Sequence, residues 1–123
     1  MYTANIEYIG MEDIMKIDSS MLKGNTKMLV LSIIDSGNKY GYEIIKELSA
    51  KSYGAFELKE GTLYPILHEL EKEELVTSMS YVMETNRTRR YYKITRKGKA
   101  YLYTKKKEWS EFVSKVNFII GKS

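Results

Sequence analysis

Few side chains in this chain of 123 residues could carry out catalysis. His68 is the only histidine, and cysteine is absent. A thiolate nucleophile, a disulfide framework and a cysteine zinc site are therefore excluded, and one histidine without companions forms neither a metal site nor a catalytic pair. The sequence contains no phosphate-binding loop and no cofactor fingerprint. We therefore expect no enzymatic activity, no cofactor and no metal, and we interpret His68 as either a base contact or a surface residue.

Positive charge is concentrated in one segment of the chain. Residues 87–107 contain ten lysines or arginines and neither aspartate nor glutamate. Since the whole chain has 20 basic and 16 acidic residues, ten basic and sixteen acidic residues remain outside this segment, a net charge of −6. A basic block on an otherwise acidic chain favours a polyanionic partner, and a solvated face is the alternative interpretation.

The only proline lies in a segment with helical periodicity. In residues 61–70, GTLYPILHEL, four apolar residues recur at helical spacing around Pro65. Proline is tolerated in the first turn of a helix and costs roughly 3 kcal/mol deeper inside. With Thr62 as the N-cap, Pro65 falls in the first turn. Because the free N–H groups of a helix start attract phosphate, this end is either a DNA-contacting surface or an ordinary helix start.

Hydrophobic periodicity predicts the elements that position these residues. Residues 21–36 and 41–52 each carry an apolar helical face and end at turn-forming residues. Residues 56–58 are long enough only for a bridge strand, and the proline-containing helix follows. Residues 1–20 are interpreted as an N-terminal extension, because their helical pattern is loose.

The pattern then changes to a period of two residues. Residues 77–83 and 90–95 alternate as strands do, with Tyr92 and Ile94 on one face. The polar residues between the two segments have the length of a hairpin connection. We therefore predict a β-hairpin with an arginine-rich tip, which either contacts DNA or is simply solvated.

A long helix is predicted from Thr95, its N-cap, to about Ile120. Its apolar residues recur at steps of seven, four, three and four, which is typical of a helix that packs against another helix. The candidate dimerisation residues are Leu102, Trp109, Phe112, Val113, Val116 and Ile120. The order of elements predicts a mainly α fold with a small β-hairpin, a winged helix-turn-helix over residues 21–95 followed by a dimerisation helix over residues 96–123.

Five segments together form a recognisable set: Gly61 to Pro65, Leu70-Glu71, Arg90-Tyr91-Tyr92, Thr95 with Gly98, and Tyr40 to Ile44. In combination they resemble the PadR family of bacterial transcriptional regulators. The resemblance implies a homodimer on a pseudo-palindromic operator, with the third helix in the major groove and the hairpin on the DNA backbone. The candidate DNA-binding residues are Tyr42, Lys46, Lys59, Thr62, Tyr64, His68, Arg87, Arg89 and Arg90. Tyr42 is equally well interpreted as a partly buried packing residue.

A single helix after the hairpin is similar to the compact subgroup of this family that includes multidrug-sensing repressors. The resemblance implies a pore between two subunits, in which a tryptophan of the last helix stacks against flat hydrophobic ligands. The candidate effector-binding residues are Met21, Met28, Ser32, Trp109 and Val113. Trp109 is otherwise an interface or core aromatic, and the two interpretations are compatible because interface residues line such a pore.

Three features depart from the family pattern. Glu69 stands where a basic residue is usual, and it would repel phosphate unless it faces away from DNA or accepts from a cytosine amino group. Glu74 stands where glycine is common, and a left-handed conformation there would cost roughly 1 kcal/mol. Lys105 and Lys106 replace apolar residues beside the expected pore, which leaves a smaller or more acidic effector as an alternative.

The sequence therefore predicts a cytoplasmic homodimeric repressor that binds double-stranded DNA and is released by a small hydrophobic ligand at the dimer interface. The alternative is a winged-helix interaction module without sequence-specific DNA binding, which Glu69 and the acidic remainder of the chain suggest. No membrane partner is expected, because no apolar run approaches the roughly 20 residues that cross a bilayer. The first ten residues do not have the pattern of a secretory signal.

Overall fold

The computed structural model describes residues 22–122. The elements are α1 (Thr26–Asp35), β1 (Lys39–Tyr40), α2 (Gly41–Lys51), α3 (Glu60–Lys72), β2 (Val76–Val82), β3 (Thr88–Ile94) and α4 (Arg96–Ile120). The predicted extension over residues 1–20 and the candidate effector contact Met21 lie outside the described residues. Within residues 22–122 the fold is the mainly helical winged helix-turn-helix that the sequence predicts.

The three strands form an antiparallel sheet in the order β1-β3-β2. In β2 and β3, Val76 pairs with Ile94 at one end and Val82 pairs with Thr88 at the other. This β2–β3 hairpin is called the wing below. The turn at its tip is closed by the Met83 N–H, which donates to the carbonyl oxygen of Arg87 at 2.7 Å.

The bridge strand lies elsewhere than the sequence predicts. It is β1, in which Lys39 pairs with Tyr92 and Tyr40 pairs with Tyr91. Residues 56–58 are extended without being a strand, and Leu58 is buried in the core at 6% exposure. The prediction was wrong because this extended segment buries Leu58 while it links α2 to α3, whereas β1 covers the second edge of β3.

One hydrophobic core joins the helices to the base of the wing. Its buried members are Val30, Leu31, Ile33, Ile34, Ile44, Leu48, Leu58, Leu63, Leu67, Leu70, Leu75, Val76, Tyr92, Ile94 and Leu102. Leu102 is only 2% exposed, so it packs inside its own subunit and offers no surface to another chain. Its prediction as a dimerisation residue was therefore wrong, because apolar spacing along α4 does not reveal which neighbour covers each residue.

The start of α4 packs against the turn that follows α3. The Thr95 side chain accepts a hydrogen bond from the Gly98 N–H at 2.9 Å, which confirms the predicted N-cap, and donates to the Glu74 carbonyl oxygen at 2.8 Å. A Cβ at Gly98 would overlap the Leu75 carbonyl, so glycine permits this close approach. Glu74 has the left-handed conformation considered from the sequence, with φ of 65°.

None of the helices within residues 22–122 is long and apolar enough to cross a membrane.

Candidate nucleic-acid interface

The helix α3 begins earlier than the sequence predicts. Its N-cap is Lys59 rather than Thr62, and the Thr62 N–H donates to the Lys59 carbonyl oxygen at 2.9 Å. Pro65 is therefore the sixth helical residue, beyond the N–H groups that lack a helical partner. The carbonyl left without an N–H donor belongs to Gly61, which is exposed, so water can satisfy it and lower the cost of the proline.

The side chain of Tyr64 joins the start of α3 to the start of α2. Gly41 is the first residue of α2 and is buried. A Cβ placed on Gly41 would overlap the Tyr64 hydroxyl and lie 2.8 Å from Cζ of its ring. Glycine therefore makes room for the phenol, which is still 43% exposed. The amino ends of the two helices consequently lie side by side.

Six of the predicted DNA contacts are exposed on α2, on α3 or at the N-cap of α3. They are Tyr42, Lys46, Lys59, Thr62, Tyr64 and His68, and they are called the α2–α3 surface below. Tyr42 is 55% exposed, which favours a contact role over the packing role left open from the sequence. Lys46 Nζ lies 5.4 Å from the centroid of the Tyr42 ring, so a cation and a hydroxyl are presented together.

Glu69 forms an ion pair with Lys27 of α1. Lys27 Nζ lies 3.3 Å from Glu69 Oε1 and 2.9 Å from Glu73 Oε2. Hydrogen bonding to Glu73, and also to Glu69, raises the pKa of Lys27 above its usual value. The lysine therefore stays charged and offsets the Glu69 carboxylate. Of the explanations considered for this residue, its facing away from DNA agrees with the geometry.

The predicted arginine contacts of the wing have different surroundings. Arg90 Nη1 donates to Ser78 Oγ at 2.7 Å, on the side of the sheet that faces α3. The Arg89 guanidinium carbon lies 4.1 Å from the centroid of the Tyr40 ring. Because successive side chains of a strand point to opposite faces, these two arginines cannot act on the same side. Arg87 lies exposed beside the wing turn.

Part of the basic segment is paired within the subunit. Lys99 Nζ lies 3.1 Å from Asp35 Oδ1, and Lys105 Nζ lies 3.2 Å from Glu108 Oε1. These lysines contribute less free charge than a count of the sequence indicates. On the wing, Arg87, Arg89, Arg90 and Lys93 are exposed and carry positive charge that a polyanion can reach.

A pocket of about 610 Å³ opens between α1, α3 and α4. Of the predicted effector contacts it is lined by Met28 and Trp109, but not by Ser32 or Val113. Val113 lines a separate groove of about 280 Å³ further along α4. The first pocket also includes Glu69 of α3 in its wall, so it is in direct contact with the helix that carries the α2–α3 surface.

The second half of α4 leaves large apolar side chains exposed. They are Trp109 (44%), Phe112 (60%), Phe118 (77%), Ile119 (83%) and Ile120 (64%). Val113 and Val116 are half-buried on the same part of the helix. Apart from Phe118, which is nine residues from Trp109 and so lies on the opposite side of the helix, these residues are called the α4 apolar surface below. Exposed apolar patches of this kind mark interaction surfaces.

Sequence reasoning missed the residues that support the interface. Gly41 was noted only as part of a helix start, and Lys27 and Ser78 were not singled out. Two signals were present: a glycine followed by tyrosine at a helix start, and the spacing of four residues between Glu69 and Glu73, which places both carboxylates on one face of a helix.

Comparison with known proteins agrees with this geometry. Residues 30–104 match the model of the Transcriptional regulator PadR-like family. A protein of Lysinibacillus sphaericus, itself uncharacterised, is 37% identical over 95 residues, which are 77% of this chain and 87% of that protein.

Solved structures of similar proteins share the fold. A transcriptional regulator from Clostridium thermocellum has 34% identity and a TM-score of 0.74, covering 80% of this chain and 95% of its own. A PadR-like transcriptional regulator from Bacillus cereus has 31% identity and a TM-score of 0.71, and the match covers 85% of this chain and 99% of that one. The resemblance inferred from the motifs is thus confirmed, and this chain belongs to the PadR-like family of transcriptional regulators.

Proposed function

We propose that this protein is a homodimeric repressor that binds a pseudo-palindromic DNA operator in the cytoplasm and is released by a small molecule at the dimer interface. The observation that carries the proposal is the exposed α2–α3 surface beside an arginine-bearing wing. Hydroxyl groups, a histidine and lysines are exposed there, while the Glu69 carboxylate is held by Lys27. Family membership implies DNA-binding regulation; the repressor role, the dimer and the effector are the proposal.

In this proposal α3 enters the major groove. Tyr64 and Thr62 contact phosphate near the helix start, where the N–H groups and the helix dipole favour an anion. His68 lies one turn further along and reaches base edges. Arg87 and Arg90 bind the backbone from the wing, and Arg89, stacked on Tyr40, contributes charge.

The α4 apolar surface supports the dimer. Burial of apolar area contributes roughly 25 cal/mol per Å², and the exposed aromatic residues of α4 offer the area that a second subunit would cover. We expect Trp109, Phe112, Val113, Val116 and Ile120 to contact the partner subunit. Two-fold symmetry then places the two α3 helices roughly 34–36 Å apart, one turn of DNA.

The pocket supports release by an effector. An effector in contact with Met28 and Trp109 would also touch Glu69 of α3. An acidic effector would compete with Glu69 for Lys27 and loosen the tie between α1 and α3. DNA affinity falls only if the effector prefers the loosened arrangement. Ser32 and Val113 do not line this pocket, so we expect them to contribute only where the partner subunit completes the site.

A gel shift with the promoter of the protein's own gene, run across salt concentrations, tests the proposal. We expect binding that is stronger than to an unrelated duplex of the same length at every salt concentration, with affinity falling as salt rises. Weak binding that is equal for both duplexes would contradict the proposal and favour the interaction module.

A further inference from the structure

Besides Glu60 and Glu69, α3 carries a third acidic residue, Glu71, near its carboxyl end. Glu71 belongs to the Leu70-Glu71 pair of the family resemblance, and it lies on α3 on the side of the wing. An acidic side chain beside a DNA-binding surface opposes phosphate binding unless its charge is used by a neighbour. Its surroundings therefore need a physical explanation.

A chain of two short hydrogen bonds connects this carboxylate to the wing. Ser78 Oγ donates to Glu71 Oε2 at 2.6 Å, and Arg90 Nη1 donates to Ser78 Oγ at 2.7 Å. Ser78 is half-buried while Arg90 is exposed. These hydrogen-bonded residues, Glu71, Ser78 and Arg90, are called the relay below. The relay runs from the end of α3, through β2, to an arginine at the surface of β3.

The pairing register of β2 and β3 brings Ser78 and Arg90 close together. Ser78 pairs with Tyr92, and Arg90 pairs with Ser80, so Ser78 and Arg90 are diagonal neighbours on one face of the wing. Long side chains reach such diagonal neighbours. Tyr92, directly opposite Ser78, is 5% exposed and belongs to the hydrophobic core.

A guanidinium held at one nitrogen still offers further N–H donors. Arginine has five N–H groups in a fixed fork, and the relay uses the Nη1 group. Immobilising a flexible side chain at an interface costs binding free energy. An arginine that is already held before DNA arrives avoids much of that cost, because its orientation is set by Ser78 and Glu71.

We propose that Glu71 and Ser78 are positioning residues that hold Arg90 in the orientation in which the wing binds a DNA phosphate. The inference rests on the proposed function, and it assigns a role to two residues that do not themselves contact DNA. The relay also fixes the wing relative to α3, so that helix and wing meet the duplex in one register.

The test combines a motional and an affinity measurement on the full-length protein. Ser78→Ala removes the relay, Ser78→Thr keeps the hydroxyl, and Ser80→Ala is a matched control on the same face of the same strand. Arg90→Ala removes the charge itself. Relaxation of the Arg90 Nε–Hε group by NMR reports whether the side chain is held in the absence of DNA.

We expect Arg90 to be rigid in the wild type and in Ser78→Thr, and mobile in Ser78→Ala. Affinity for the promoter duplex should fall about three- to tenfold per subunit in Ser78→Ala and remain unchanged in Ser80→Ala. The slope of log affinity against log salt should stay constant in Ser78→Ala, because no charge is lost. It should weaken by about 0.9 per subunit in Arg90→Ala, because one phosphate contact is lost.

Three results would overturn the inference. They are an Arg90 side chain that is already mobile in the wild type, equal affinities of Ser78→Ala and Ser80→Ala, and a Ser78→Ala effect of the same size in the Arg90→Ala background. Each of these leaves the proposed function standing if the wild type prefers the promoter. A wild type that binds all duplexes alike contradicts the proposed function, and the positioning role falls with it.

Discussion

Replacing Gly41 by alanine tests how Tyr64, which we propose contacts DNA, is positioned. Gly41 begins α2, and a Cβ there would overlap the Tyr64 hydroxyl. The Tyr64 phenol must therefore move, because the new Cβ is fixed to the helix backbone. We expect the Tyr64 hydroxyl to lose the position from which we propose that it contacts phosphate.

The expected effect of Gly41→Ala on stability is smaller than its expected effect on DNA binding. Alanine is favoured over glycine in a helix by up to about 1 kcal/mol, and displacing the phenol costs about 0.5–1.5 kcal/mol, so the free energy of unfolding should change by at most about 1.5 kcal/mol. A hydrogen bond to a charged group contributes about 1.5–3 kcal/mol. Its loss should reduce DNA affinity roughly 10- to 150-fold per subunit.

The assay is fluorescence anisotropy with the promoter duplex, together with urea unfolding. Gly24→Ala is the matched control, because a Cβ at Gly24 meets no atom within 4 Å among the described residues. In a Tyr64→Ala background, Gly41→Ala should have no further effect on affinity. Wild-type affinity in Gly41→Ala, or an equal loss in Gly24→Ala, would refute this account of the interface.

Three further changes test other parts of the structure. Glu74→Gly should raise the free energy of unfolding by about 0.5–1 kcal/mol, because it relieves the left-handed strain, and a lower melting temperature in calorimetry would contradict this. Thr95→Ala should lower the free energy of unfolding by about 1–2 kcal/mol through loss of the N-cap, whereas Thr95→Ser should retain most of this stabilisation. Equal losses for the two variants in urea unfolding would exclude the hydroxyl as the cause. The double change Val113→Asp and Val116→Asp should give monomers in sedimentation velocity, and a persistent dimer would move the interface elsewhere.

Local chemistry made much of the fold predictable. The bounds of α2 and the alternation of Tyr92 and Ile94 follow from periodicity. The Thr95 cap is recognisable because its hydrogen bond to Gly98 spans three residues. The order of these elements then indicated the winged helix-turn-helix plan, and the family motifs agreed with it.

The wrong predictions concern features that depend on residues distant in the sequence or on the exposure of the backbone to water. The position of β1 depends on pairing with Tyr91 and Tyr92 far along the chain. Leu102 is apolar like the rest of the α4 pattern, and only the packed structure shows that its own subunit covers it. Pro65 was placed too near the helix start, because the sequence does not show that the Gly61 carbonyl is open to water.

The candidate site was predictable in its exposed residues but not in the contacts that support them. The bond between Lys27 and Glu73 spans 46 residues, and no local pattern indicates it. The relay from Glu71 to Arg90 crosses from a helix to two strands. Such contacts depend on the tertiary packing of α3 against α1 and the wing.

Selection of binding sites from random DNA duplexes by the purified protein tests the central claim most directly. The account predicts an enriched pseudo-palindrome whose half-sites have centres about 10–10.5 base pairs apart. Recovery of sequences with no shared site, or with a single half-site and no symmetric partner, would contradict it.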